Sequence, residues 1–245
     1  MASLNESLQS RNMASLNFWT TSPRYEVKVV CDVQGPPEVE AWVRLHPAHW
    51  RIAYPPRQIN NIYFDTADYQ GLNANLSGVS ERSKLRLRWY GGDLYTVESA
   101  NLELKCKQGW VGWKEINHVE QFFNLGEGTW SEFYRTLSGV LNSKARRWLQ
   151  WAAYPVLINT YQRSYYVTPD QKVRLTVDTS LCAYDQRFSA KPNLKRAAPL
   201  PAYVIVELKA DCEDYQRLSD VLDHFPARVG RFSKYVQGVL SAPDF

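Results

Sequence analysis

Lys84-Leu85-Arg86-Leu87-Arg88-Trp89 alternates a cation with a large apolar residue for six positions. Side chains of a β-strand point alternately to its two faces, so Lys84, Arg86 and Arg88 share one face while Leu85, Leu87 and Trp89 share the other. Residue parity gives the same division elsewhere. Arg24, Glu26 and Lys28 oppose Tyr25, Val27 and Val29; Glu103, Lys105 and Lys107 oppose Leu102, Leu104 and Cys106. Lys172, Arg174 and Asp178 oppose Val173, Leu175 and Val177, and Glu207 and Lys209 oppose Val206 and Leu208. Asn159, Tyr161, Arg163 and Tyr165 also share a face.

An antiparallel sheet with one solvated face is the commonest source of such alternation. Two features argue against it. The pattern Glu-x-Lys recurs at Glu26-Lys28, Glu103-Lys105 and Glu207-Lys209, where a solvated face would mix Ser, Thr and both charges without order. Arg86 and Arg88 also stand roughly 7 Å apart on one face, a repulsion of about 2 kcal/mol at an effective dielectric near 20, which an anion should offset. Strands that close into a barrel, with amphipathic helices outside, turn these faces into a shared lumen. Rich in cations and poor in carboxylates, such a lumen suits an oligophosphate.

The 245-residue chain is 44% hydrophobic and 13% aromatic, enough for one sizeable strand-rich core. The expected division is an N-terminal segment over 1–22, a candidate accessory helix in which MASLN occurs twice, and one domain over 23–245. The net charge of +4 is too small to imply nucleic-acid binding, so its placement matters more than its sum. Lys191, Lys195 and Arg196 offer a short basic loop to nucleic acid, but such a loop is usually just solvated. No apolar run reaches a membrane span and the start lacks a signal-peptide pattern, giving the expectation of a cytoplasmic protein. Cys31, Cys106, Cys182 and Cys212 have no CxxC spacing, and His46, His49, His118 and His224 no HExxH spacing, so neither set reads as a metal or redox site. Helical spacing predicts helices over Glu38–Leu45, Thr129–Trp151 and Tyr215–Phe225. Gln186–Pro201, basic and with three prolines, reads as a mobile loop.

The segments RYEVK (24–28), NNIYFDT (60–66), KLRLRWYG (84–91), LELK (102–105), VELK (206–209) and RFSKY (231–235) occur in an order that resembles the vacuolar transporter chaperone (VTC) domain. This is the polyphosphate-polymerase branch of the triphosphate tunnel metalloenzymes, and the likeness spans about residues 23–240. It implies a mainly β (α+β) fold: an eight-stranded antiparallel closed tunnel barrel with helices packed outside. It also implies an ATP:polyphosphate phosphotransferase. Carried over by motif, Lys28, Arg86, Arg88, Lys105, Lys114, Arg163, Arg174 and Lys234 would grip phosphates and Tyr161 and Ser233 would donate hydroxyls. Glu207 would bind Mn²⁺ or Mg²⁺, and Glu26, Glu103 and Lys209 would support the tunnel.

Two positions depart from the pattern. Arg24 stands where many tunnel enzymes have a first glutamate, and Ile116 stands where a second cation often follows Lys114. Hydrolysis of tripolyphosphate or a nucleoside triphosphate, with Glu26 or Glu103 activating water, is the alternative activity. A polyphosphate-binding module without turnover, working with a separate membrane partner, is the alternative from another class.

Overall fold

The computed structural model describes residues 24–31, 35–109 and 111–242. The N-terminal segment, with its duplicated MASLN, and Trp110 lie outside the described residues. Eight strands follow in chain order: β1 (Arg24–Cys31), β2 (Arg51–Asp65), β3 (Glu81–Tyr90), β4 (Thr96–Gln108), β5 (Val111–Asn124), β6 (Tyr154–Val167), β7 (Val173–Asp185) and β8 (Val204–Asp211). They are antiparallel and form a closed barrel in the order β1-β5-β4-β3-β2-β6-β7-β8. The expected mainly β tunnel with outer helices is the observed fold.

Alternation along each strand gives this barrel an inverted character. Its apolar side chains point outward, and the core lies between the barrel and its helices. Leu85, Leu87 and Leu102 are fully buried beneath α3 (Trp130–Val140) and α4 (Ser143–Trp151), against Phe133, Leu137 and Leu149. Val29, Val206 and Leu208 are buried beneath α1 (Pro36–Leu45) and α5 (Tyr215–Leu222), which supply Val39, Val43, Leu218 and Val221. A third cluster places α2 (Gln70–Leu76) and α6 (Lys234–Leu240) on Tyr63, Leu157 and Ala183.

Three expectations are corrected. The helix expected over Thr129–Trp151 is two helices, because Asn142 caps a new one by accepting the Ala145 N–H at 2.8 Å, after the weak helix formers Ser138 and Gly139. The helix at Tyr215 ends at Leu222, short of the expected Phe225. The 186–201 segment, expected to be mobile, is pinned: Gln186 bonds the Asn193 backbone in both directions at 2.8 and 2.7 Å, the Ala198 N–H donates to Ala183 at 2.7 Å, and Leu194 is buried in the core. Lys191, Lys195 and Arg196 remain exposed on it.

The β1–β5 seam is completed by a segment near the end of the described residues. β1 pairs with β8 along its whole length but, among the described residues, with β5 only at Arg24 and Gly112. The edge that β5 leaves is taken by the segment before α6: Val229 bridges Val29, and the Gly230 N–H donates to the Lys28 carbonyl at 2.9 Å. This insertion delivers Ser233 and Lys234 into the lumen. It is anchored by fully buried Asp65, which accepts the Tyr235 hydroxyl at 2.6 Å and the Gly71 and Leu72 N–H groups at 2.9 Å. The NNIYFDT and RFSKY segments thus meet through Asp65 and Tyr235.

At Gly238 on α6 a Cβ would lie 2.5 Å from Leu157 Cδ2 and 3.1 Å from the Ala183 Cβ. Gly238→Ala should therefore push α6 off the barrel and lower stability by about 1–3 kcal/mol, read as a fall in the urea midpoint.

Candidate phosphate-binding tunnel

Tunnel-facing residues of the strands, with Ser233 and Lys234, enclose a cavity of about 220 Å³. Among the described residues ten cations line it: Arg24, Lys28, Lys84, Arg86, Arg88, Lys105, Lys114, Arg163, Lys209 and Lys234. Two carboxylates, Glu26 and Glu207, line it as well. Glu103 and Asp178 stand in its wall, with 1% and 0% of their surface exposed.

Each carboxylate is held by at least two cations. Glu103 accepts from Arg86 Nε and Nη2 at 2.8 and 2.6 Å and from Lys114 Nζ at 2.9 Å, with Arg88 Nη1 at 3.9 Å. It is therefore an internal answer to the repulsion between Arg86 and Arg88. Asp178 accepts from Arg163 at 2.5 and 2.7 Å and from Lys234 at 2.5 Å. Glu26 accepts from Lys105 with both oxygens at 3.0 Å and pairs with Lys28 at 3.2 Å. Glu207 pairs with Lys209 at 2.5 Å and with Arg163 at 3.8 Å. Burial opposes charge on Glu103, yet Arg86, Arg88 and Lys114 hold its carboxyl well below the usual range. Glu207 is likewise well below that range, burial being outweighed by Lys209, Lys28 and Arg163.

The remaining polar groups orient the cations. Arg88 donates to Asn61 Oδ1 at 2.8 Å and to the Tyr161 hydroxyl at 3.1 Å, and Asn61 donates to Asn159 at 2.8 Å. Because the Tyr161 oxygen accepts, its proton remains available to a ligand. Lys84 donates to Ser233 Oγ at 2.8 Å. Lys28 donates to the Phe232 carbonyl at 3.1 Å, and Lys234 stands 4.6 Å from the centre of the Tyr161 ring.

The structure brings Lys28, Arg86, Arg88, Lys105, Lys114, Arg163, Lys209, Lys234, Tyr161, Ser233, Glu26 and Glu207 around one cavity, with Glu103 behind it. Arg174 is different. It lies in register with Lys209 but is about half exposed, pairs with Asp211 at 3.6 Å and does not line the cavity, because β7 reaches the tunnel rim there. Lys172 precedes β7 and pairs with Asp214 at 2.9 Å outside the barrel.

Parity alone puts Arg24, Lys84 and Asp178 on tunnel-facing sides, and the structure adds Arg24 and Lys84 to the cavity lining and Asp178 to its wall. Tyr63, whose hydroxyl accepts weakly from Arg86 at 3.4 Å, and Trp113 carry no charge pattern that would have marked them.

Fold and site together define a closed antiparallel barrel with a polycationic lumen. The family model described as "VTC domain" matches residues 22–242, and the chain belongs to that family. No curated protein matches the sequence. Among solved structures, a putative adenylyl cyclase from Hippeastrum, described as having a dominant triphosphatase activity, is 14% identical with a TM-score of 0.50, over 91% of this chain and 97% of that one. A putative adenylate cyclase from Vibrio parahaemolyticus is 12% identical with a TM-score of 0.47, over 89% and 99%. The PH1819 protein from Pyrococcus horikoshii is 13% identical with a TM-score of 0.43, over 88% and 94%. The Hippeastrum structure is similar to this chain in fold.

Two predictions follow from the charges. Asp178→Asn leaves Arg163 and Lys234 without their buried partner and should cost about 3–5 kcal/mol in denaturant unfolding. The second concerns pH. Burial and the neighbouring Lys28, Lys105, Arg82 and Arg86 hold Lys84 well below the ordinary lysine range, and burial pulls Lys209 down to about 8 despite Glu207. An anion favours the protonated amines, so tripolyphosphate affinity should fall as pH rises through about 8. Calorimetry in buffers of different ionisation enthalpy should show proton uptake on binding, smaller in Lys84→Met.

Proposed function

We propose that this chain is a metal-dependent polyphosphate polymerase, transferring the γ-phosphoryl of ATP to the end of a linear polyphosphate held in the lumen. The observation that carries this reading is the charge surplus: ten lining cations against two lining and two wall carboxylates. An enclosed surplus of that size is unfavourable until an extended polyanion enters. Arg supplies bidentate forks and Lys compact charges, a mixture that can grip successive phosphates.

Transfer to phosphate is favoured over hydrolysis by the state of the carboxylates. Water as acceptor needs a base. Glu26, Glu103, Asp178 and Glu207 are all engaged by cations and all held below their ordinary range, which makes them poor proton acceptors. A terminal phosphate oxygen is already ionised near neutral pH. It attacks the γ-phosphorus, a P–O bond forms, the β,γ-bridging P–O bond breaks, and ADP leaves without any proton needing a protein base. The lumen then contributes positioning and charge neutralisation, the main demands of phosphoryl transfer. On this reading Lys28, Arg86, Arg88, Lys105, Lys114, Arg163 and Lys234 hold the phosphates, and Arg174 meets the chain at the rim.

The donors suit a divalent ion only in company with phosphate. Glu207 and Glu26 lie on the paired strands β8 and β1, and among the described residues no three His, Cys, Asp or Glu groups gather into a metal cage. One or two carboxylates plus substrate oxygens is the usual way Mg²⁺ is held. Glu207, with Glu26 beside it, would hold Mn²⁺ or Mg²⁺ in that manner. Such an ion, when bound, offsets negative charge on the phosphate oxygens. The reading places the activity in the cytoplasm, with a separate partner for any passage of product through a membrane.

Incubation with ATP and Mn²⁺ should give ADP and a gel ladder of polyphosphate. Orthophosphate alone would make the chain a hydrolase, and binding without turnover would make it a carrier. Glu207→Gln should lower the rate about 100-fold or more, as loss of a transition-state contact does; an unchanged rate would remove Glu207 from the metal site.

A further inference from the structure

The cation ladder of β3 and β4 continues past the cavity. Along one face, Arg86 lies opposite Glu103, Lys84 opposite Lys105, and Arg82 opposite Lys107. Only the first of these rungs is an ion pair. In the other two, like charges face each other directly, which destabilises an antiparallel pair, and successive same-face residues are only about 7 Å apart. Lys105 has Glu26 as a partner. Among the described residues no ion pair is formed by Lys84, Arg82 or Lys107; Lys84 bonds Ser233 and Arg82 bonds the Val79 carbonyl at 2.6 Å.

Arg231 joins this end from the inserted segment. Its Nη1 lies 3.4 Å from where a Gly78 side chain would begin, beside the turn into β3, and its charge acts on Arg82. Burial, then repulsion by Arg231, lowers the Arg82 pKa; burial, then Arg82, lowers that of Lys107. Among the described residues at this strand end, acidic Glu81 has the opposite parity and accepts from Gln108 at 2.7 Å, while the Glu26 carboxylate, paired with Lys105, also acts on Lys107. Arg82 and Lys107 are half-buried, Arg231 is exposed, and none of the three lines the cavity.

We propose that Arg82, Lys107 and Arg231 form an outer docking track along which a linear phosphate chain too long for the cavity continues past Lys84 and Lys105. The track rests on the polyphosphate reading of the lumen. It adds a preference for length: tripolyphosphate fills the cavity alone, and a longer chain gains contacts outside it. A phosphate chain is favoured over single-stranded nucleic acid because neither like-charged rung carries an aromatic side chain on which a base would stack.

The test compares titrations of tripolyphosphate, long-chain polyphosphate and an oligodeoxythymidylate of similar charge. The proteins are the parent, the triple variant Arg82→Gln/Lys107→Gln/Arg231→Gln, and the charge-keeping Arg82→Lys/Lys107→Arg/Arg231→Lys. The glutamine variant should lose long-chain affinity on the order of 100-fold at 0.1 M salt, about fivefold per contact, with a log–log salt slope shallower by about two. Its tripolyphosphate affinity should change little, its melting temperature should not fall, and the charge-keeping variant should bind as the parent does. Long-chain affinity unchanged in the glutamine variant, equal losses for short and long chains, or oligonucleotide binding as tight as that of polyphosphate would each overturn the track. A parent that binds long chains through these residues but not tripolyphosphate would overturn the lumen reading and leave the track standing.

Discussion

Four carboxylates make the interior of this barrel possible. Taking a charge out of water costs several kcal/mol, and ten cations around a small cavity could not be gathered without counter-charge. Glu103 binds together Arg86, Arg88 and Lys114, and Asp178 binds together Arg163 and Lys234. Glu26 and Glu207 do the same for Lys105, Lys28 and Lys209. The compensation is partial. Complete pairing would leave nothing to attract an anion, and none would leave the strands too strongly repelled to close.

The same alternation that fills the lumen with charge places the stabilising core elsewhere. Most globular barrels pack apolar side chains inside; here the interior is polar and the hydrophobic free energy comes from helices laid on the outer surface. The inserted segment and α6 together belong to this outer layer through Tyr235 and Gly238, and to the lumen through Ser233 and Lys234. Packing of α6 is thereby coupled to the geometry of the site, with Asp65 as the mechanical link between them.

The proposed phosphoryl transfer would demand little covalent chemistry from the protein, so a lumen without an available base is compatible with it. The features that would weaken it as a hydrolase, pinned and strongly ionised carboxylates, are those that fix the cations in place. Lys84 stands apart from this pinned framework, whereas Lys209 is paired with Glu207. Lys84 has a hydroxyl in place of a carboxylate partner, and burial depresses both amines.

The sequence by itself determined which residues share a face. Strand side chains repeat with period two, so Arg86 with Arg88, Glu103 with Lys105 and Glu207 with Lys209 could be grouped without coordinates, and the ordered segments pointed to a closed tunnel. Lys84 and Asp178 carried the same signal. Only the tertiary structure decided which tunnel-facing residues reach the cavity: Arg174 has the parity of the lumen but lies at the rim, since strand tilt and register are set by neighbouring strands. It also decided which cations are already spoken for, because Glu103 meets Arg86 across strands and Asp178 meets Lys234 across 56 residues of sequence. The helix break at Asn142 rests on one cap hydrogen bond, and the pinning of the 186–201 loop on a few hydrogen bonds and the buried Leu194, contacts that composition cannot reveal. Local periodicity fixes direction; depth and partnership are properties of the closed barrel.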